Sequence, residues 1–192
     1  MAVPTTRFRV IPNSTATTAV DTPAKRLGII SGESLVSTGA GNEADLGTVN
    51  ISAGAANSAV IHMLWDVTAD GGNTLVDTFK LWLSANGFDV AASVLRFAAI
   101  SGADQTIPTN TQNYVANATT ASYTFADMPE TEPASQNVYP SDEGTSMALA
   151  TTSDDAIMWA VYAAIGANET TGTYSGTTVG YELQGSFKYT YS

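Results

Sequence analysis

Hydrophobic and polar residues alternate with a period of two along much of this chain, most cleanly over residues 181–192. There Tyr181, Leu183, Gly185, Phe187, Tyr189 and Tyr191 fall on one face of an extended chain, and Glu182, Gln184, Ser186, Lys188, Thr190 and Ser192 on the other. The pattern predicts a half-buried strand, and such a strand needs others beside it to be stable. Residues 59–67 repeat the signal, with Ile61, Met63, Trp65 and Val67 on one face and Val60, His62, Leu64 and Asp66 on the other. In 75–84 the core face is Phe79, Leu81 and Leu83, which leaves Trp82 pointing outward beside Lys80 and Ser84. Residues 94–100 give another strand, with Leu95, Phe97 and Ala99 inward and Arg96 outward, where it would stack on Trp82 if the two strands are neighbours.

Two stretches are harder to place. In 153–166, Ser153, the acids after it, several alanines and the terminal Gly166 suit a helix, but apolar residues run all the way round it. A strand buried on both faces has that character too, and the turns and strand that follow at once favour it. The other is the start of the chain. Residues 1–26 hold Pro4, Pro12 and Pro23, with Phe8 and Val10 alternating against Arg7 and Arg9. Prolines on both sides limit any ladder, so 1–26 is expected to be an extended arm, ordered against a partner or packed on its own domain.

Turn residues separate the remaining elements. The sequence around Asp70-Gly71-Gly72-Asn73 is the strongest reversal signal, because these residues accept positive φ cheaply. Shorter strands are expected at 27–30, 47–51, 121–125, 146–150 and 173–178. Residues 101–153 carry the other four prolines and an acidic run near 127–132, which predicts a long loop-rich excursion used for contacts. The expected architecture is all-β: an antiparallel β-sandwich, immunoglobulin-like or jelly-roll-like, spanning 27–192 as a single domain behind an extended N-terminal arm.

Composition narrows the chemistry. The chain has 192 residues, enough for one domain with a proper core. It has no cysteine and a single histidine, His62, which excludes disulfides, thiolate catalysis and cysteine- or histidine-rich metal sites. The net charge is −11, yet the first 26 residues carry Arg7, Arg9, Lys25 and Arg26 against Asp21 alone. A basic segment thus precedes an acidic body, which repels nucleic acid and anionic membrane while the segment can meet an acidic neighbour or merely solvate a terminus. No run approaches the roughly 20 apolar residues of a membrane-spanning helix, and the first residues lack a secretory pattern. Synthesis and use without export are expected.

Phosphate-binding, dinucleotide, zinc-protease and serine-hydrolase motifs are all missing. The carboxylate pairs Glu130/Glu132, Asp142/Glu143 and Asp154/Asp155 read as solvated surface in an acidic protein, and an enzyme is not expected. Asp66, Asp70, Asn73 and Asp77 lack the spacing of a calcium loop. His62 reads as a strand residue hydrogen-bonded locally. Neither cofactor nor metal is expected. Trp82 is left as an interface anchor, a sugar platform or a residue covered by a loop.

Residues 167–176, Ala-Asn-Glu-Thr-Thr-Gly-Thr-Tyr-Ser-Gly, with Trp159-Ala-Val-Tyr162 upstream, resemble the closing hairpin of immunoglobulin-like sandwiches in bacterial surface and phage structural proteins. The whole chain, acidic, cysteine-free, rich in Ala, Thr, Gly and Asn, and opening on a proline-punctuated arm, is similar in style to head decoration (cement) proteins of tailed bacteriophages. That resemblance implies a β-sandwich made in the host cytoplasm and placed on the capsid exterior, commonly as a homotrimer. There it would bind the major capsid protein and copies of itself and stabilise the shell. Arg7, Phe8, Arg9, Lys25 and Arg26 are then the expected strap, and Trp82 a second anchor. A carbohydrate-binding or adhesion module, and a tail or head-fibre component, are the rival expectations.

Overall fold

The computed structural model describes residues 1–11, 34–36, 44–101, 112–140, 146–149, 157–172 and 184–192, and every regular element among them is a strand. These are β1 (Thr5–Ile11), β2 (Ser34–Val36), β3 (Ala56–Asn57), β4 (Ile61–Ala69), β5 (Leu75–Ala85), β6 (Val94–Ser101), β7 (Gln112–Asn113), β8 (Ala126–Asp127), β9 (Ser146–Ala148), β10 (Ile157–Ile165) and β11 (Gln184–Tyr191). The larger sheet runs β2-β1-β4-β10-β6-β7, with β3 added to β10 and β8 to β6, while the smaller runs β11-β5-β9. All pairings are antiparallel except the short β6–β7 contact. The two sheets pack face to face as a β-sandwich. The all-round apolarity of 153–166 is explained by β10, which lies between β4 and β6 with both faces buried.

One core fills the space between the sheets. Ile61, Met63 and Trp65 from β4 and Ile157, Trp159 and Val161 from β10 meet Val76, Phe79, Leu81 and Leu83 from β5. Val76 and Phe79 are three residues apart and yet both point inward. The step is accommodated at Thr78, whose φ of 57° places it in the left-handed region, opposite the irregularity between Lys188 and Thr190 in β11. An extra residue here turns the strand so that both segments face the core.

A second core lies on the opposite face of the larger sheet. Val60, Leu64, Ile100, Met158, Ala160 and Tyr162 are covered there by Tyr114, Ala118 and Tyr123. Residues 114–123 of the excursion therefore serve as a lid on the sheet. Residues 129–137 run along the edge of β5 beyond β9. Leu83 donates its N–H to the Pro129 carbonyl at 2.8 Å and Asn137 donates its N–H to Phe79 O at 3.2 Å. The Asn137 side chain then imitates a strand, accepting from Leu81 N at 2.8 Å and donating to Leu81 O at 2.7 Å.

Several expectations are corrected. Of the two expectations for the start of the chain, packing on its own domain holds for residues 5–11, though as a strand within a sheet and not as an arm laid over it. These residues form β1, an inner strand between β2 and β4, because Phe8 and Val10 supply the sandwich core while Ile11 supplies the second core. Prolines did not prevent the ladder, since Pro4 precedes the strand. Residues 47–51 are irregular, with Gly47 at φ 78° and its N–H given to Asp45 Oδ1 at 2.7 Å. Residues 121–125 are irregular, and the strand β8 follows at 126–127. The glycine turn after β4 has Gly71 and Gly72 at φ 65° and 82° as expected, but it carries the chain from one sheet to the other. The expectations at 27–30 and 173–178 lie outside the described residues.

Replacing Asn137 by Ala removes both hydrogen bonds to Leu81 and leaves a half-buried edge unpaired. The expected loss is about 2 kcal/mol of unfolding free energy, measured by urea denaturation against the parent chain, with Asn137→Asp gaining nothing over alanine because the oxygen that replaces Nδ2 faces the Leu81 carbonyl.

Candidate interaction surface and buried polar sites

Among the residues predicted to contact a partner, Arg7, Phe8 and Arg9 are taken up within the fold. Arg7 and Arg9 point away from the sandwich core, on the side of Asp66 in the adjacent strand. Arg7 stands opposite Asp66 in register and grips it twice, Nε to Oδ1 and Nη2 to Oδ2, each at 2.9 Å. Arg9 is fully buried and adds Nη2 to Oδ2 at 2.9 Å. The acidic partner expected for these cations is therefore a residue of the same sheet. Phe8 packs edge-on against Phe187 and Trp159, at ring separations of 5.6 and 6.1 Å. Lys25 and Arg26 lie outside the described residues.

His62 occupies the same face of β4. It is fully buried, with Ile11 and Ala160 opposite it in the neighbouring strands. Its Nε2 lies 3.0 Å from the Tyr123 hydroxyl, its ring packs 4.6 Å from that of Tyr114, and its Nδ1 has no hydrogen-bond partner. Tyr123 also accepts the Val115 N–H at 2.7 Å, so this one hydroxyl fastens the excursion to the sheet. Burial lowers the pKa of His62 to about 4 and pushes the two tyrosines up to about 12. Neutral imidazole packed under a lid is a structural group, in keeping with the local hydrogen bonding expected from sequence.

The outer face of the smaller sheet is different. Trp82 stands there half-buried, with Lys80 beside it on β5 and Ser186 and Lys188 opposite on β11. Glu132, from the excursion, accepts from Lys188 at 2.9 Å and from Lys80 at 3.1 Å. The bond from Lys188, then that from Lys80, holds its carboxyl below the ordinary value. Comparison with protein-family models, curated proteins and solved structures finds no match. This face is therefore read from its own chemistry: an aromatic plane, two cations sharing one carboxylate, and a rigid core behind.

The remaining candidates do not converge. Arg96 cannot reach Trp82, because β6 and β5 belong to different sheets. It lies instead between Asp127, 2.8 Å away, and Tyr162, and the Tyr162 hydroxyl and the Asp127 charge raise its pKa. Asp66, Asp70 and Asp77 are spread over one sheet, a turn and the other sheet, and no cluster of metal-ligating side chains occurs among the described residues. Glu130 accepts from Asn86 Nδ2 at 2.6 Å, while Asp142, Glu143, Asp154 and Asp155 lie outside the described residues. Sequence reading missed Lys188 and Glu132 as neighbours of Trp82. The outward position of Lys188 was visible in the alternation, but its register against β5 was not.

Asp66→Asn removes the Asp66 charge from beside the buried Arg9 cation. It is expected to cost about 3 kcal/mol or more by chemical denaturation, whereas Arg7→Ala, at the exposed side of the pair, costs less. His62 makes a prediction about pH. Because its folded pKa is below its unfolded one, the stability it supports is complete above pH 6.5 and is lost as pH falls toward 4. The full span is about 3 kcal/mol. His62→Phe should flatten the dependence of the urea midpoint between pH 6.5 and 4.5, and an unchanged slope would refute the assignment.

Proposed function

We propose that this protein is a non-enzymatic structural component of a virus particle, a decoration protein that binds the outer surface of a capsid and stiffens its shell. The observation that carries the reading is the outer face of the smaller sheet, where Trp82 stands with Lys80 and Lys188 on a plate backed by the sandwich core. Half-buried aromatics held rigidly beside cations are efficient anchors, since little side-chain freedom is lost on docking. The acidic, cysteine-free composition supports the reading from another side, as a net charge of −11 disfavours nucleic acid and favours a partner met through local positive groups. The partners are the major capsid protein and further copies of this chain. Lys25 and Arg26 remain in the proposal as a basic contact, whereas Arg7, Phe8 and Arg9 are withdrawn from it because their side chains serve the fold.

Co-sedimentation with capsids stripped of their accessory proteins tests this directly. Saturable binding at a fixed ratio to capsid protein is expected, weakened on the order of tenfold by Trp82→Ala. Binding by the double variant Lys25→Glu, Arg26→Glu is expected to weaken mainly at low salt. Absence of binding by the parent chain would overturn the reading. Retention of glycans by the same protein would replace it with a carbohydrate-binding one built on Trp82, and recovery with tails would replace it with a tail component.

A further inference from the structure

The smaller sheet ends on β11. One side of that strand is paired with β5, and among the described residues no strand pairs with the other side. Sheet edges are commonly blunted by proline or by several charges, but β11 has no proline and one charged residue, Lys188. Its core-facing side is incompletely filled. Phe187 and Tyr189 are half-buried, Tyr191 is 42% exposed, and among the described residues nothing lies within 4 Å of where a Cβ on Gly185 would stand. Gly185 lies opposite the buried Leu83, so the gap is at the rim of the sandwich core.

We infer that two copies of this chain associate through their β11 strands, antiparallel about a two-fold axis at Phe187, joining the two smaller sheets into one. An antiparallel strand paired with its own copy faces itself in a register set by the residue on the axis. With Phe187 there, Tyr189 of each copy lies opposite Gly185 of the other and fills the open space above it, a known remedy for glycine at a sheet edge. The two Phe187 rings meet as a cross-strand aromatic pair. On the outer face Lys188 of each copy lies opposite Ser186 of the other, and the next side chain across the sheet from Ser186 is Trp82. The small serine leaves room for the lysine to reach over it to the indole ring.

The neighbouring registers are worse. An axis at Lys188 sets the two lysines against each other. An axis at Ser186 moves Lys188 from the small Ser186 to Gln184 and sets Phe187, which its own core already packs against Phe8 and Trp159, opposite Gly185. The occupant is thus a second copy, selected by the pairing of tyrosine with glycine and of lysine with serine. Each copy carries a net charge of −11, so association tightens as salt screens the general repulsion.

Sedimentation equilibrium of the full-length chain, over a range of protein and salt concentrations, tests the inference. A monomer–dimer equilibrium that strengthens with salt is expected. Ser186→Lys, an outward-facing change on a folded sheet, sets lysine against Lys188 twice per dimer and should raise the dissociation constant on the order of tenfold. Ser186→Glu should lower it by a similar factor. Exchanging the two residues, Ser186→Lys with Lys188→Ser, again puts lysine opposite serine and should restore association. Because the chain lacks cysteine, the double variant Ser186→Cys, Lys188→Cys should form an intermolecular disulfide on oxidation. A monomer at every concentration, a trimer, or a dimer indifferent to Ser186→Lys would each overturn the inference. Sedimentation of the isolated chain reads self-association alone, so its failure is distinguishable from a failure of capsid binding, which co-sedimentation with capsids reads.

Discussion

A strand that is apolar on both faces must be covered twice, and β4 and β10 impose that requirement on the whole molecule. Their inward side chains, from Trp65 to Trp159, are covered by the smaller sheet, whose central strand β5 bends at Thr78 so that Val76 and Phe79 can both reach them. The other faces of β4 and β10, from Leu64 to Met158, are covered by the excursion through Tyr114, Ala118 and Tyr123. Burial of large side chains stabilises a fold by roughly 1.5–3 kcal/mol each. A sandwich with one face of its larger sheet left open would therefore forfeit a large share of its stability. The long proline-containing connection is best understood as the second lid.

Closing both faces also determines what becomes of the polar groups on them. Asp66 lies on the lidded face, so its charge has to be met there, and β1 supplies Arg7 and Arg9 from the adjacent strand. His62 is kept neutral by the same burial and used as one end of the tie through Tyr123 to Val115. Both arrangements consume groups that elsewhere would suggest chemistry. The Asp66 carboxylate is occupied by guanidinium, and the imidazole packs among apolar and tyrosine side chains, which makes these sites supports of the fold.

The outer face of the smaller sheet carries polar groups and an aromatic plane where the larger sheet carries a second core, and this asymmetry separates structure from interaction. Lys80, Trp82, Ser186 and Lys188 point away from the core, and among the described residues of the excursion Glu132 meets the two lysines. Its edge strand β11 keeps an alternation of aromatic and small or polar residues that exceeds what the single chain uses, since Tyr191 remains exposed and Gly185 uncovered. Both proposals rest on this one side of the molecule.

The sequence by itself determined the class of fold and the facing of the main strands. Period-two alternation placed β4, β5, β6 and β11 and put Trp82 outside, and apolarity on every side, which cannot suit a half-exposed helix, favoured a strand for β10. Such reasoning sees neighbours along the chain, and the tertiary structure decided what lies across it. Which strands pair is settled by contacts between residues far apart in sequence, so the Arg7–Asp66 pairing, the separation of Arg96 from Trp82, and the approach of Lys188 to Lys80 had no local signature. The same limit turned residues 5–11 from an expected arm into an inner strand. Two arginines among apolar residues look solvent-exposed until the carboxylate they share, 59 and 57 positions away, is known.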